Sequence, residues 1–238
     1  MTGTGTGTGT DSSPLFPASV VHVEMFHDPP DAVLFPEEEA LIARAVPKRR
    51  REFTTARLCA REALARLGYP AAPILRDPRG APLWPEGVVG SLTHCAGYRA
   101  AAVAHRTDLV ALGLDAEPNA PLPDRDTLAL IALPGERDHL AELAAAHPDL
   151  EVHWDRLLFS AKESVYKAWY PLTGRWLGFE EAEVTLSARE NSFRAKFLVP
   201  GPTVGGTPLT HITGRWHSSG GLVLTSTAVP TFPHPPTH

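Results

Sequence analysis

The alternation of apolar and polar positions divides the chain into two stretches that repeat one order of elements. Residues 19–26, SVVHVEMF, alternate as a strand does. In REFTTARLCAREALARLG, residues 51–68, Phe53, Ala56, Ala60, Ala63, Leu64 and Leu67 recur at helical spacing, and Gly68 closes the pattern. That stripe leaves Arg50, Arg57 and Arg61 on the other side of the helix. After a proline-rich connector, residues 69–87, the run VVGSLTHCAGYRAAAVAH predicts two strands around a turn. LVALGLDAEP, residues 109–118, then begins as a buried strand, with Val110, Leu112 and Leu114 on one face and Ala111 and Gly113 on the other.

The second stretch repeats this order. A proline-rich exit over 118–134 leads to GERDHLAELAAAH, a short helix. In DRLLFSAKESVYKAWYPLTG, Leu158, Ala161, Val165, Ala168 and Trp169 form a second long helical stripe, predicted to stop at Pro171 and Gly174. AEVTLSA and FRAKFLV read as strands, and GRWHSSGGLVLTSTAV as a hairpin turning at Ser219–Gly221. Each half thus holds one long helix and a later hairpin, and both hairpins carry an H-x-x-G turn, His94–Gly97 and His217–Gly220. The pattern reads as an α+β fold with an internal duplication. The implied division is a low-complexity leader at 1–14, halves at 15–118 and 119–230, and a proline-rich tail at 231–238.

Composition narrows the classes. A chain of 238 residues with 43% hydrophobic content buries a sizeable core, and a net charge of −5 argues against a nucleic-acid partner. No run approaches the roughly 20 apolar residues of a membrane span, and the leader MTGTGTGTGTDSSP is no secretory signal. Two cysteines, Cys59 and Cys95, without C-x-x-C spacing, fit a reducing cytoplasm and no structural zinc site. The exception to the acidic balance is PKRRREF, either a solvated helix start or a seat for an anionic ligand.

The chemistry concentrates in three places. Asp115 and Glu117 share one strand face, where two like charges about 6 Å apart repel by roughly 2–3 kcal/mol at an effective dielectric near 20. Either a bound cation or nearby Arg or Lys must compensate. Glu163 and Lys167, four apart on the second helix with Lys162 adjacent, are either a surface ion pair or a third carboxylate beside a lysine that meets a phosphate. Arg49, Arg50 and Arg57 on the first helix, Arg76 and Arg79 in the connector and His94 in the first turn could then hold a ligand with more than one phosphate. Ser91, Thr93 and Cys95 around His94 are ordinary strand residues without a nucleophile-elbow context, and neither a Walker A loop nor G-x-G-x-x-G occurs.

The combination of VGSLTHCAGYRAAAVA, GLDAEP and FSAKESVYKAW, in that order, resembles the 4′-phosphopantetheinyl transferases of the surfactin/enterobactin type, above all the actinobacterial members that activate polyketide, fatty-acid and non-ribosomal peptide synthases. The likeness runs from KRRREF to GLVLT. It implies a monomeric pseudo-dimer of two similar α/β halves with the ligand between them. The implied reaction moves phosphopantetheine from coenzyme A to a serine of an acyl or peptidyl carrier protein, leaving 3′,5′-ADP. By this match Asp115, Glu117 and Glu163 would bind Mg²⁺ (or Mn²⁺), and Lys167 the diphosphate. Arg49, Arg57, Arg76 and His94 would hold the 3′-phosphate and adenosine end, with Ser91 and Lys162 completing the coenzyme set. Asp115, Glu163 and Lys167 would carry catalysis, Glu163 as general base directly or through a metal-bound water. The chain departs at Ala116, where some members have a further carboxylate, and at Arg76, where lysine is common. Two other classes fit the same acids: another Mg²⁺-dependent phosphotransferase or phosphodiesterase acting on a nucleotide, and a non-catalytic module that binds coenzyme A or a carrier protein.

Overall fold

The computed structural model describes residues 15–231; the leader, and the tail beyond Thr231, lie outside the described residues. The first half comprises β1 (Val21–Met25), α1 (Pro36–Leu41), α2 (Pro47–Arg66), β2 (Val88–Cys95) and β3 (Tyr98–His105). After β4 (Leu109–Pro118) come α3 (Arg125–Ile131), α4 (Pro134–Ala146) and α5 (Trp154–Thr173). The strands β5 (Ala182–Ser187), β6 (Ser192–Phe197), the two-residue pair β7 (Thr203–Val204) and β8 (Thr207–Pro208), β9 (His211–Ser219) and β10 (Leu222–Pro230) complete the chain.

Two large antiparallel sheets result beside the β7-β8 pair, one ordered β1-β3-β2 and the other β4-β10-β9-β6-β5. Helix α2 covers the first sheet, where Cys59, Ala60, Ala63 and Leu64 meet Ala101 and Val103. Helix α5 covers the second, burying Leu157, Leu158, Ala161, Val165 and Trp169. The remaining faces meet in a third apolar cluster, with Ala100, Ala102 and Ala104 against Leu112, Leu114 and Leu224. The helices are therefore outside and the sheets inside, in two units of like design. Both expected hairpins form, turning at Ala96–Gly97 and Gly220–Gly221.

Three expectations are corrected. β4, assigned by sequence to the first half, hydrogen-bonds to β10 in the sheet of the second. Two helices, α3 and α4, occupy the stretch read as one. Helix α5 runs through Pro171, the first of its two expected stops, and ends at the second, Gly174, whose φ of 63° is the left-handed cap that a Cβ disfavours. The face of α2 bearing Arg57 and Arg61 is covered by α1 through the fully buried Glu38. Among the described residues no helix is long and apolar enough to cross a membrane.

The two sheets are joined by side chains where no backbone ladder connects them. Alternation along β2 points Ser91 and Thr93 at β4, where the Leu114 N–H donates to Ser91 Oγ (3.0 Å) and the Ala116 N–H to Thr93 Oγ1 (3.1 Å). The same alternation turns His94 towards α2. Gly113 brings α5 onto β4: a Cβ there would stand 1.9 Å from the Ser164 carbonyl oxygen. The GLD spacing thus has a packing reason before it has a chemical one.

Candidate active site

A cleft of about 1100 Å³ opens between the two units, lined from the first by α2, the connector and β2, and from the second by β4 and α5. It collects Arg49, Arg57, Arg76, Ser91, His94, Asp115, Glu163 and Lys167 of the residues singled out by sequence. Glu117 and Lys162 are not among its lining residues.

At one end the charges are positive. Arg57 is 5% exposed; its Nε donates to the Ile74 carbonyl (2.9 Å) and lies 3.9 Å from Glu38. Burial lowers its pKa to about 10, so it stays charged at neutral pH. Arg76 donates to the Leu41 carbonyl (3.1 Å). His94 contacts Arg49 through Nε2 and lies 3.6 Å from Glu52 through Nδ1. Burial, then the Arg49 charge, lowers the His94 pKa to about 4. The ring is therefore neutral at pH 7, with Nε2 accepting from Arg49 and the Nδ1 proton facing Glu52.

At the other end the groups alternate in sign. Arg156, Ser160, Glu163 and Lys167 lie on one stripe of α5 at helical spacing, and that stripe faces the acids of β4. Asp115 is 5% exposed, and its carboxylate is held by three side chains. Oδ1 accepts from Lys167 Nζ (2.7 Å) and Thr93 Oγ1 (3.4 Å), and Oδ2 from Ser160 Oγ (2.8 Å). Lys167 also donates to the Leu114 carbonyl (2.9 Å). Glu117 accepts from Arg156 Nη1 at 3.2 Å, and Arg156 is fixed by the Ala120 and Pro121 carbonyls. Glu163 has no hydrogen-bond or ion-pair partner among the described residues. Burial, then the Asp115 charge, pushes both Glu117 and Glu163 above the usual carboxylate range.

Two sequence assignments change. Lys162, expected at the coenzyme, is 4% exposed inside the second unit; its ammonium donates to Glu136 (2.8 Å) and to the Ile131 and Phe179 carbonyls (2.9 and 2.7 Å). One residue along a helix is a turn of about 100°, which carries Lys162 away from Glu163. Ser91 lines the cleft, but its hydroxyl serves the seam with β4. Ala116 faces the apolar cluster with Leu112 and Leu114, so it leaves no gap among the acids. Sequence reasoning missed Thr93, Ser160 and Arg156. The last two stand three and seven residues before Glu163, a spacing that could have found them.

As placed, no three His, Cys, Asp or Glu side chains among the described residues are grouped closely enough to hold a metal ion. Asp115 is turned to Lys167 and Glu117 to Arg156. The donor set nonetheless suits a hard divalent cation: three carboxylates on facing elements, two of them raised in pKa by burial and then by the charge of the third. The fit is one of chemistry, with Lys167 and Arg156 supplying the compensating charge in the cation's place.

Residues 37–104 match the family model of the 4′-phosphopantetheinyl transferase N-terminal domain, and residues 111–220 that of the 4′-phosphopantetheinyl transferase superfamily. The second match begins at β4, where the strand pairing also places the second unit. The chain is 58% identical to 4′-phosphopantetheinyl transferase Svp of Streptomyces mobaraensis, over 90% of this chain and 87% of that one. It is 49% identical to 4′-phosphopantetheinyl transferase PptT of Mycobacterium tuberculosis, over 89% and 95%. Enterobactin synthase component D of Salmonella typhi is 30% identical over 88% and 84%.

Proposed function

The chain belongs to the 4′-phosphopantetheinyl transferase superfamily, and from that we propose that it transfers the 4′-phosphopantetheine of coenzyme A to a serine hydroxyl of an acyl or peptidyl carrier protein, releasing 3′,5′-ADP. The observation that carries this reading is the division of one cleft into an arginine end and an acid–lysine end contributed by both units. Coenzyme A has a matching division, with a 3′-phosphate on its adenosine and a diphosphate leading to pantetheine. Arg49, Arg57 and Arg76 suit the 3′-phosphate end, where guanidinium forks meet phosphate oxygens, with His94 holding Arg49 in place. Lys167 suits the diphosphate as a point charge.

Asp115, Glu117 and Glu163 would hold Mg²⁺, which when bound offsets negative charge on the diphosphate. In the transfer, the serine oxygen forms a bond to the phosphorus bearing pantetheine, and the bond from that phosphorus to the bridging oxygen of 3′,5′-ADP breaks. The serine proton passes to Glu163, which has no hydrogen-bond or ion-pair partner among the described residues to displace. Lys167 stays with the charge developing on the leaving phosphate. The nucleophile comes from the carrier protein, in keeping with the absence of a nucleophile-elbow motif in this chain. The carriers of polyketide, fatty-acid and non-ribosomal peptide synthases are the substrates this reading assigns.

The test is the intact mass of an apo acyl carrier protein incubated with this protein, coenzyme A and Mg²⁺. A gain of one phosphopantetheine, absent with EDTA, is expected. Nucleotide hydrolysis without a carrier would favour a phosphodiesterase instead, and coenzyme A binding without any mass gain would favour a binding module.

A further inference from the structure

Residues lining the cleft also bridge it from one unit to the other, between the connector and the end of α5. The connector folds back on itself through Asp77. Its Oδ1 accepts from the Arg79 and Ala81 N–H groups (both 2.9 Å), and its own N–H donates to the Ala81 carbonyl (2.9 Å). The Gly80 N–H donates to the Asp77 carbonyl (3.0 Å), and Arg76 and Pro82 pair as an isolated bridge. Gly80, with φ at 94°, makes the reversal possible.

This turn belongs to the first unit, yet its second carboxylate oxygen belongs to a contact with the other. Tyr170, near the end of α5, donates its hydroxyl to Asp77 Oδ2 at 2.5 Å. Arg79 extends the same bridge, donating to the Gly174 carbonyl (3.1 Å) with its guanidinium 5.9 Å from the Tyr170 ring centre. Arg76, Asp77, Arg79 and Tyr170 all line the cleft. Arg76 is itself exposed and held by one backbone carbonyl, so its direction depends on the turn that carries it.

We propose that Tyr170 and Asp77 are positioning residues, a clasp across the cleft that fixes the Arg76–Pro82 turn so that Arg76 presents its guanidinium to the phosphates of the ligand. The clasp acts through Arg76 and touches no reacting atom. It rests on the coenzyme A reading given above. A hydroxyl-to-carboxylate bond is among the stronger neutral-to-charged hydrogen bonds, and with a tyrosine it costs little side-chain freedom to make. Its loss would release the turn and leave the rest of the fold in place.

The experiment is calorimetric titration of 3′,5′-ADP into the full chain and into Tyr170→Phe, Arg76→Ala and the double variant, with steady-state transfer kinetics alongside. Tyr170→Phe should raise the Kd for 3′,5′-ADP and the KM for coenzyme A about fivefold, with kcat within about twofold, the loss of one partly exposed hydrogen bond. Added to Arg76→Ala, Tyr170→Phe should change neither, because the residue it positions is gone. Binding by Tyr170→Phe equal to that of the unmodified chain, or a full fivefold loss in both backgrounds, would overturn the clasp while leaving the coenzyme reading intact. Failure of the unmodified chain to bind 3′,5′-ADP would overturn that reading and the clasp with it.

Discussion

The two ends of the cleft are built on opposite principles. At the arginine end acids stand behind the groups that face the cleft: Glu38 behind Arg57, and Glu52 behind the neutral His94 that contacts Arg49. Those acids neutralise the site without entering the cleft, so the guanidinium groups are held in place for an anion. At the acid end Asp115 and Glu117 are neutralised by Lys167 and Arg156 directly, on the oxygens a cation would use. The first end is preorganised. On the proposed reading the second must exchange partners before it can hold a cation, and the buried Ser160 hydroxyl on Asp115 Oδ2 is the contact best placed to persist through that exchange.

The comparison breaks most severely at Glu163. Glu163→Gln keeps the shape and removes the base, so the transfer rate should fall at least about 100-fold in the carrier-mass assay. Affinity for 3′,5′-ADP, which the proposed reading assigns to the arginine end, should stay within about twofold. A parallel loss of nucleotide affinity would mean that the two ends are not separable.

Next in size is Lys162. Its removal in Lys162→Met leaves Glu136 buried without its cation, at a cost of about 3–5 kcal/mol. The thermal midpoint should fall sharply, and nucleotide affinity measured below that midpoint should be unchanged. A change in affinity at unchanged stability would return Lys162 to the cleft.

Arg49→Ala should raise the KM for coenzyme A about tenfold with kcat nearly constant, since a phosphate contact made equally in the ground and transition states is lost. The smallest effect is one of pH. His94 has a folded pKa of about 4 against 6.5 when unfolded, so the unfolded chain binds the extra proton between those values. Its contribution to stability is complete above pH 6.5 and is lost as the pH falls towards 4. His22, also lowered to about 4 by burial, acts with the same sign. Glu117 and Glu163 act in the opposite sense, because a raised carboxylate pKa favours the folded state as the pH falls. The unmodified chain should therefore lose more stability than His94→Gln between pH 7 and pH 5, compared by urea midpoints.

The order of elements was legible because period alone carries it: α2, α5 and both hairpins lie where the apolar spacing puts them. Pro171 misled because, so near the end of the helix, the backbone hydrogen bond its ring removes is one of the last, and the chain still reaches the glycine cap, with Thr173 Oγ1 donating to the Trp169 carbonyl (3.1 Å). Strand pairing was beyond local pattern. β4 follows β3 closely in the chain but hydrogen-bonds to β10, more than 100 residues later. In the site, the residue types were legible and their directions were not. Lys162 and Glu163 are adjacent letters, yet the helix turns one into the core and the other into the cleft. Asp77 and Tyr170, 93 residues apart, carry no joint signature in a single sequence.

The most direct test of the central claim is a crystal structure of this protein with coenzyme A and Mn²⁺, the ion located by its anomalous signal. The account predicts the ion on Asp115, Glu117 and Glu163, with Lys167 moved from Asp115 to the diphosphate and the Arg49–His94 contact unchanged. An ion bound elsewhere with Lys167 still on Asp115, or an arginine end rebuilt around the nucleotide, would contradict it.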